Sequence, residues 1–283
     1  MCDVPDSVQQ ARLWLEHHLS TISDSPQIEA WQLLEALFDR PKHMLIGTTI
    51  TLEDAHKQQL NHWLDRRLER EPLQYILGYA YFYGYRFHVT PAVLIPRPET
   101  EVLVHAVLKQ LKTFSHPLTV IDVGTGSGAI AITLKRECPE ATVLASDITN
   151  GALELAQYNA QRLTADVTFV HSNLLDATTL QNAATRANII VANLPYLPED
   201  DRAWLSLEVM REPDTALFAG SDGLYLADQL ITQAFGLLTA GSKLILELDP
   251  RNVAKAQARA SAWQQKDVLT DLAGRPRFLL LTR

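Results

Sequence analysis

The chain has 283 residues, 47% hydrophobic and 20% charged, a balance that predicts one or two globular domains with a full core and excludes an intrinsically disordered chain. Its 33 acidic against 25 basic side chains give a formal net charge of −8, which signals no basic face for a nucleic-acid backbone; Cys2 and Cys138, with no CxxC or HExxH pattern, predict neither a disulfide framework nor a metal site. The acidic, polar start and the lack of an apolar run of membrane length predict a cytoplasmic protein that meets no membrane.

Apolar residues first recur at helical spacing: Val8, Ala11, Leu15 and Leu19, then Ile28, Trp31, Leu34, Leu37 and Phe38, then Leu60, Trp63, Leu64 and Leu68. Ser25 with Pro26 is expected to open the second helix, and Thr51 with Asp54 the third. This predicts a small helical bundle over residues 1–72, with Trp31 and Trp63 in its core. Arg66, Arg67 and Arg70 form either a local basic patch or a solvated helix face. Residues 74–93 are rich in aromatics around Gly78 and Gly84 and predict a short β-hairpin that serves as a connector.

From residue 98 the pattern alternates. A helix at 99–111 precedes the strand TVIDVG; helices at 129–137 and 151–162 lead to TVLASD and VTFVHS in the same alternation; NIIVAN, a helix at 222–238, KLILEL, a helix at 250–265 and a last strand FLLLTR follow. Alternation of this kind predicts a mostly parallel sheet with helices on both faces, and ligands of such sheets sit outside the carboxyl ends of the strands. The polar residues closing the strands, Asp122, Asp147, Asn173 and Asn193, are therefore the candidates. After the first strand, Gly124, Gly126 and Ala129 satisfy the loose dinucleotide pattern and Asp147 suits a ribose diol, so NAD and S-adenosylmethionine both fit at this point, as does a purely structural glycine turn.

Gly128 extends the loop to D-x-G-x-G-x-G, which resembles motif I of the class I S-adenosylmethionine-dependent methyltransferases. The stretch Asn193-Leu194-Pro195-Tyr196 then falls at the carboxyl end of the fourth strand. Methylating an amide or aryl amino nitrogen is hard because its lone pair is conjugated. Two hydrogen-bond acceptors that hold both N–H groups can aim that lone pair at a methyl carbon. Asn193 Oδ1 and the Leu194 carbonyl are two such acceptors in adjacent residues, Tyr196 offers a ring for stacking, and Pro195 restrains Leu194 to an extended conformation. NLPY also resembles the motif of ribosomal RNA adenine dimethyltransferases.

REPLQYILG, FYGYRFHV and VLIPRPETEVLV separate these readings, because together with EPDTALFAGSDGLY and DLAGRPRF they resemble the peptide chain release factor glutamine methyltransferases, the PrmC/HemK family, over about residues 70–283. The resemblance implies an α/β fold in which a class I methyltransferase Rossmann-like sheet, at 98–283, follows a helical substrate-recognition domain at 1–72 and a β-hairpin linker at 73–97. It implies transfer of a methyl group from S-adenosylmethionine to the N5 amide nitrogen of the glutamine in the GGQ loop of a class 1 release factor. Asn193, Leu194, Pro195 and Tyr196 become the catalytic and substrate-binding residues; Gly124, Thr125, Gly126, Ser127, Gly128, Asp147, Asn173, Leu174 and Asn193 become the cofactor-binding ones. A monomer with no metal and no direct nucleic-acid contact is expected. Arg97, in PRPE, either supports the cofactor pocket or pairs with Glu99 or Glu101. The chain departs from the family where Leu194 replaces the first proline of NPPY, where Asn173 replaces an aspartate, and where ELDPRN replaces a Glu, Gly and Gln pattern. Another protein's glutamine, as in a ribosomal protein, or an RNA adenine amino group are the alternative targets.

Overall fold

The computed structural model describes residues 4–283, so Cys2 lies outside it. Its chain divides into two compact units, one of residues up to Gly78 together with Ser206–Arg211, the other of Tyr79–Leu205 and Glu212–Arg283.

The first unit holds helices α1 (Val8–Leu19), α2 (Pro26–Phe38), α3 (Lys42–Leu45), α4 (Asp54–Leu68) and α5 (Leu73–Leu77). Ser7 caps α1 by accepting the Gln10 N–H, and the face Val8, Ala11, Leu15 and Leu19 is buried as its spacing predicts. Pro26 opens α2, where Trp31 is buried; Ile28 is exposed instead of joining the apolar face. α4 starts differently from expectation. Glu53 and His56 form its capping box, while Thr51 bridges to Ser7. The arginines correct the sequence reading most. Arg67 is 5% exposed; its Nε and Nη2 donate to Glu29 at 2.8 and 3.1 Å and its Nη1 to Glu208 at 3.1 Å. Arg66 pairs with Glu71, and Arg70 donates to Glu208 and the Ile22 carbonyl. They are neither a free basic patch nor a solvated face, because carboxylates from other segments of the unit close around them.

The second unit opens with a hairpin, β1 (Tyr79–Phe82) and β2 (Tyr85–His88), and continues through α6 (Pro98–Leu111), β3 (Thr119–Val123), α7 (Ala129–Glu137), β4 (Thr142–Asp147), α8 (Asn150–Arg162), β5 (Val167–His171), α9 (Thr178–Ala184) and β6 (Ile189–Ala192). After a 3₁₀ turn at Glu199–Trp204 come α10 (Asp214–Leu217), α11 (Tyr225–Leu237), β7 (Lys243–Glu247), α12 (Val253–Arg259), β8 (Gln265–Thr270) and β9 (Pro276–Thr282). Among the described residues the main sheet has seven strands in the order β5-β4-β3-β6-β7-β9-β8, parallel from β5 to β7 and antiparallel at β9 and β8.

Alternate strand residues face opposite layers. Ile121, Val123, Ile190, Ala192, Leu244 and Leu246 pack with α9, α11 and α12; Val120, Val143, Ala145, Ile189, Val191 and Ile245 pack with α6 and α7. This doubly wound arrangement bears out the predicted fold class. The helix expected at 250–265 is shorter, and Gln265–Thr270 is an edge strand. Its polar sequence QKDVLT hides it, because an edge strand with half-exposed faces needs few apolar residues. No helix among the described residues is long and apolar enough to cross a membrane.

Arg67→Ala is expected to destabilise the chain by about 3 kcal/mol, since it leaves Glu29 without its cation. Arg66→Ala, which removes a more exposed pair, should cost under about 1 kcal/mol. Urea unfolding of both variants checks this, and equal losses would contradict the buried role given to Arg67.

Candidate functional site

The strands β3, β4 and β6 end side by side, and their loops wall a cavity of about 410 Å³. After β3 the chain turns through Gly124, Gly126 and Gly128, all at positive φ, into α7. The Gly124 and Thr125 N–H groups donate to the Ser146 carbonyl at 2.9 and 2.8 Å. The Gly126 N–H donates to Asp147 Oδ2 at 2.9 Å. A side chain at Gly126 would meet no protein atom within 4 Å, so that position faces open space, whereas one at Gly128 would strike Ile132 at 2.6 Å. The first glycine borders the cavity; the second exists for helix packing.

Asp122 is fully buried beneath this loop, where Oδ2 accepts from the Thr125 hydroxyl at 2.7 Å and the Ala131 N–H at 3.2 Å, while Oδ1 has no partner. Burial raises its carboxyl to about 7, against those two hydrogen bonds, and Asp147 adds to the rise. Asp147 accepts from Thr149 through Oδ1 as well as from Gly126 through Oδ2. Carboxylates and carbonyls thus occupy the N–H groups at Gly124, Thr125, Gly126 and Ala131.

At the end of β6, Asn193 Nδ2 donates to the Thr100 hydroxyl at 3.0 Å, and Asn193 Oδ1 is buried with no partner. Leu194 packs against the glycine loop, its Cδ2 lying 2.8 Å from where a Cβ on Gly124 would be. Arg97 lines the cavity and pairs with buried Glu212, not with Glu99 or Glu101, and Glu212 also accepts the Ile95 N–H at 3.1 Å.

Of the residues predicted from the sequence, Gly124, Thr125, Gly126, Ser127, Asp147, Asn173, Leu174, Asn193, Leu194 and Pro195 line the cavity together. Gly128 and Tyr196 are not in its wall. Tyr196 lies beside Glu247 and Arg277, its hydroxyl pushed up to about 12 by burial first and then by Glu247, and its carbonyl approaches Gly223, where a Cβ would come within 2.1 Å.

The profile of the methyltransferase small domain matches residues 98–222 and that of the PrmC N-terminal domain residues 8–78. A release factor glutamine methyltransferase of Deinococcus radiodurans is 41% identical over 263 residues, covering 92% of this chain and 92% of its own. That of Coxiella burnetii is 34% identical over 281 residues, covering 98% and 99%. The chain belongs to the release factor glutamine methyltransferase family. Among solved structures, the T. thermophilus 16S rRNA N2 G1207 methyltransferase shares the fold, with a TM-score of 0.52 at 20% identity over 72% of this chain and 49% of its own.

Sequence reasoning missed Thr100, Glu212, Phe218 and Glu247 around this family's site. Glu247 closes β7 as Asp147 closes β4, so the rule that picked the other strand ends would have found it.

The Asp122 carboxyl has an ordinary value of 3.8 and a folded value of about 7. Between them the folded chain binds more protons than the unfolded one, so stability should fall as pH rises across that interval and level off above it. Asp122→Asn is expected to flatten part of this fall. Thermal melts on both sides of the interval test it, and an unchanged slope would contradict the buried-carboxyl account.

Proposed function

We propose that this chain transfers a methyl group from S-adenosylmethionine to the side-chain amide nitrogen of a glutamine in a class 1 peptide chain release factor. The observation that carries the reading is the Asn193 amide at the end of β6, whose Nδ2 is committed to Thr100 and whose Oδ1 is a buried acceptor without a donor. Family membership supports the target. The relatives that share most of this chain are named for release factor glutamine methylation.

The cavity fits the methyl donor by its open glycine rim at Gly126, its half-buried carboxylate at Asp147 and its apolar wall from Val93, Ile130, Leu174 and Phe218. Bound there, S-adenosylmethionine supplies a methyl carbon activated by an adjacent sulfonium. Gly124, Thr125, Gly126 and Ser127 form the rim against it, Asp147 accepts from its ribose hydroxyls, and Asn173 and Leu174 border its base. Gly128 serves by packing the loop onto Ile132 and Ala156.

Asn193 Oδ1 and the Leu194 carbonyl accept the two N–H groups of the glutamine amide and fix its plane, so that the nitrogen lone pair rather than the carbonyl oxygen faces the reacting carbon. Pro195 and the packing of Leu194 on Gly124 hold that carbonyl in place. Tyr196 backs this segment. No strong base is required, since the nitrogen becomes acidic as it is alkylated and releases its proton afterwards. The helical unit recognises the release factor, and the enzyme works in the cytoplasm as a monomer, without metal and without direct contact to nucleic acid.

Gly126→Val should abolish S-adenosylmethionine binding in calorimetry while circular dichroism stays near parental, because the added side chain enters ligand space and its β-branch strains the positive-φ turn of the loop. Undiminished affinity would remove the loop from the binding site. Asn193→Ala should leave that affinity nearly intact and slow single-turnover methylation of a release factor by roughly a hundredfold or more, the scale of losing a preorganised polar group at a reacting centre. A parental rate, or labelled methyl appearing in RNA instead of protein, would overturn the proposal.

A further inference from the structure

We infer that Gln233 on α11 is a positioning residue for the base end of the cavity. It clamps the turn 173–176 and, through Asp176, holds the Asn173 amide with Nδ2 on that carboxylate and Oδ1 left as the acceptor for an exocyclic amino group of the ligand. The inference rests on the reading of S-adenosylmethionine as the methyl donor and adds how an aminopurine is told from an oxopurine there.

The sheet order places this turn. The strands run β5-β4-β3-β6, and β4 and β5 are in parallel register with Asp147 opposite His171. A ligand lying across the strand ends, its reacting atom near Asn193 after β6 and its ribose at Asp147 on β4, carries its base beyond β4. There Ser172, Asn173 and Leu174 line the cavity after β5. The backbone at this point is strained. Leu174 has φ 48°, in the left-handed region that costs a leucine free energy. Such a residue persists only where its surroundings over-determine it.

α11 supplies the determinant. Gln233 Oε1 accepts the Leu175 N–H at 3.1 Å and its Nε2 donates to Asp176 Oδ1 at 2.9 Å, so both ends of one amide are spent on this turn. The Asp176 N–H closes the turn on the Asn173 carbonyl at 3.0 Å, and Leu174 and Leu175 share a core with Leu230, Ile231 and Ala234 of α11. Neither Gln233 nor Asp176 lines the cavity, so each acts on a ligand only through the turn it holds.

The second oxygen of Asp176 sets the last group, since Oδ2 accepts from Asn173 Nδ2 at 3.3 Å. An ionised carboxylate only accepts, whereas an asparagine amide has a donating and an accepting end. The nitrogen of Asn173 is therefore the end that faces Asp176. Its Oδ1, which accepts no hydrogen bond from the described residues, is the end left for a ligand. An oxygen acceptor suits the amino group of adenine and opposes the oxygen that hypoxanthine carries at the same place. An aspartate at 173 would accept through either oxygen; the asparagine needs the carboxylate beside it to choose.

The test is calorimetric titration of the full chain with S-adenosylhomocysteine and with S-inosylhomocysteine, which differ in that amino or oxo group. The parent should prefer the first by roughly tenfold or more, the scale of losing a hydrogen bond and setting acceptor against acceptor. Asn173→Ala should erase the preference. Gln233→Met and Asp176→Asn should each reduce it to within about threefold of parity, because the Asn173 amide can then present either end. Exchanging the pair, Asn173→Asp with Asp176→Asn, should restore it, since residue 173 then accepts in both orientations and keeps its partner at 176. Asp176 is exposed, so Asp176→Asn should melt with the parent and tests the same point if Gln233→Met does not fold. A tie with a structural role alone would lower the affinity for both compounds alike and leave their ratio unchanged. No preference in the parent, a preference that survives Gln233→Met and Asp176→Asn, or an exchange that fails to restore it would overturn the inference. If the parent binds neither compound, the methyl-donor reading falls with it. If it binds both and the variants keep the parental ratio, that reading stands and only the role of Gln233 and Asp176 fails.

Discussion

The side-chain amide of Asn159 fastens three otherwise separate parts of the methyltransferase unit. Its Oδ1 accepts the His88 N–H at 2.8 Å, and its Nδ2 donates to the His88 and Ser127 carbonyls at 2.9 Å each. One residue of α8 therefore holds the end of the hairpin and the middle of the glycine loop in a fixed relation. The amide is 1% exposed and almost fully satisfied, so losing any partner would leave a buried polar group in a medium that penalises it. Phe82, on the other strand of the hairpin, lines the cavity wall, and Ser127 leads into α7. The hairpin is thereby more than a connector: Phe82 and Phe87 belong to the core that packs against α6 and α7.

A parallel sheet imposes the second constraint. Its strands open their carboxyl ends on one side, so every polar residue that closes a strand is delivered to the same rim. In this chain the rim carries Asp122, Asp147, Asn193 and Glu247, and two of the three carboxylates are buried deeply enough for their pKa values to rise to about 7. Burial of that kind costs stability, and here it falls where the chain also places its glycine loop and the unpartnered Asn193 oxygen. Sites that need fixed dipoles in a dry environment concentrate such costs.

Much of this was legible in the residues. β3, β4, β6 and β7 are buried on both faces, so apolar runs such as TVIDV and NIIV announced them, and glycines at positive φ left a spacing that marks a ligand loop. The rest escaped for physical reasons. β8 is an edge strand whose polar residues look helical or irregular on periodicity. Arg67 reads as a surface charge because its partners, Glu29 and Glu208, lie 38 and 141 residues away in sequence. Thr100 stands within a motif that was recognised as a whole, yet its role rests on an asparagine 93 residues distant. Gly128 and Gly126 have the same letter and a shared conformational need; only the surroundings, Ile132 against one and open space against the other, separate packing from ligand approach.

Leu194 shows how a departure from a family pattern can be absorbed. A proline at that position would restrain the backbone through its ring and present a small apolar wall; leucine has no ring but reaches across to Gly124, where its Cδ2 occupies the space that any Cβ would claim. The two loops are therefore complementary: Gly124 must lack a side chain for Leu194 to lie there, and Leu194 must lie there for the glycine turn to be backed on that side. Pro195 fixes the backbone from the other direction by excluding helical conformations at Leu194. The carbonyl of residue 194 is thus constrained by side-chain packing on one side and by its neighbour's ring on the other; the ring at 195 is common to NLPY and NPPY, so the packing of Leu194 on Gly124 stands where a ring at residue 194 itself would otherwise act.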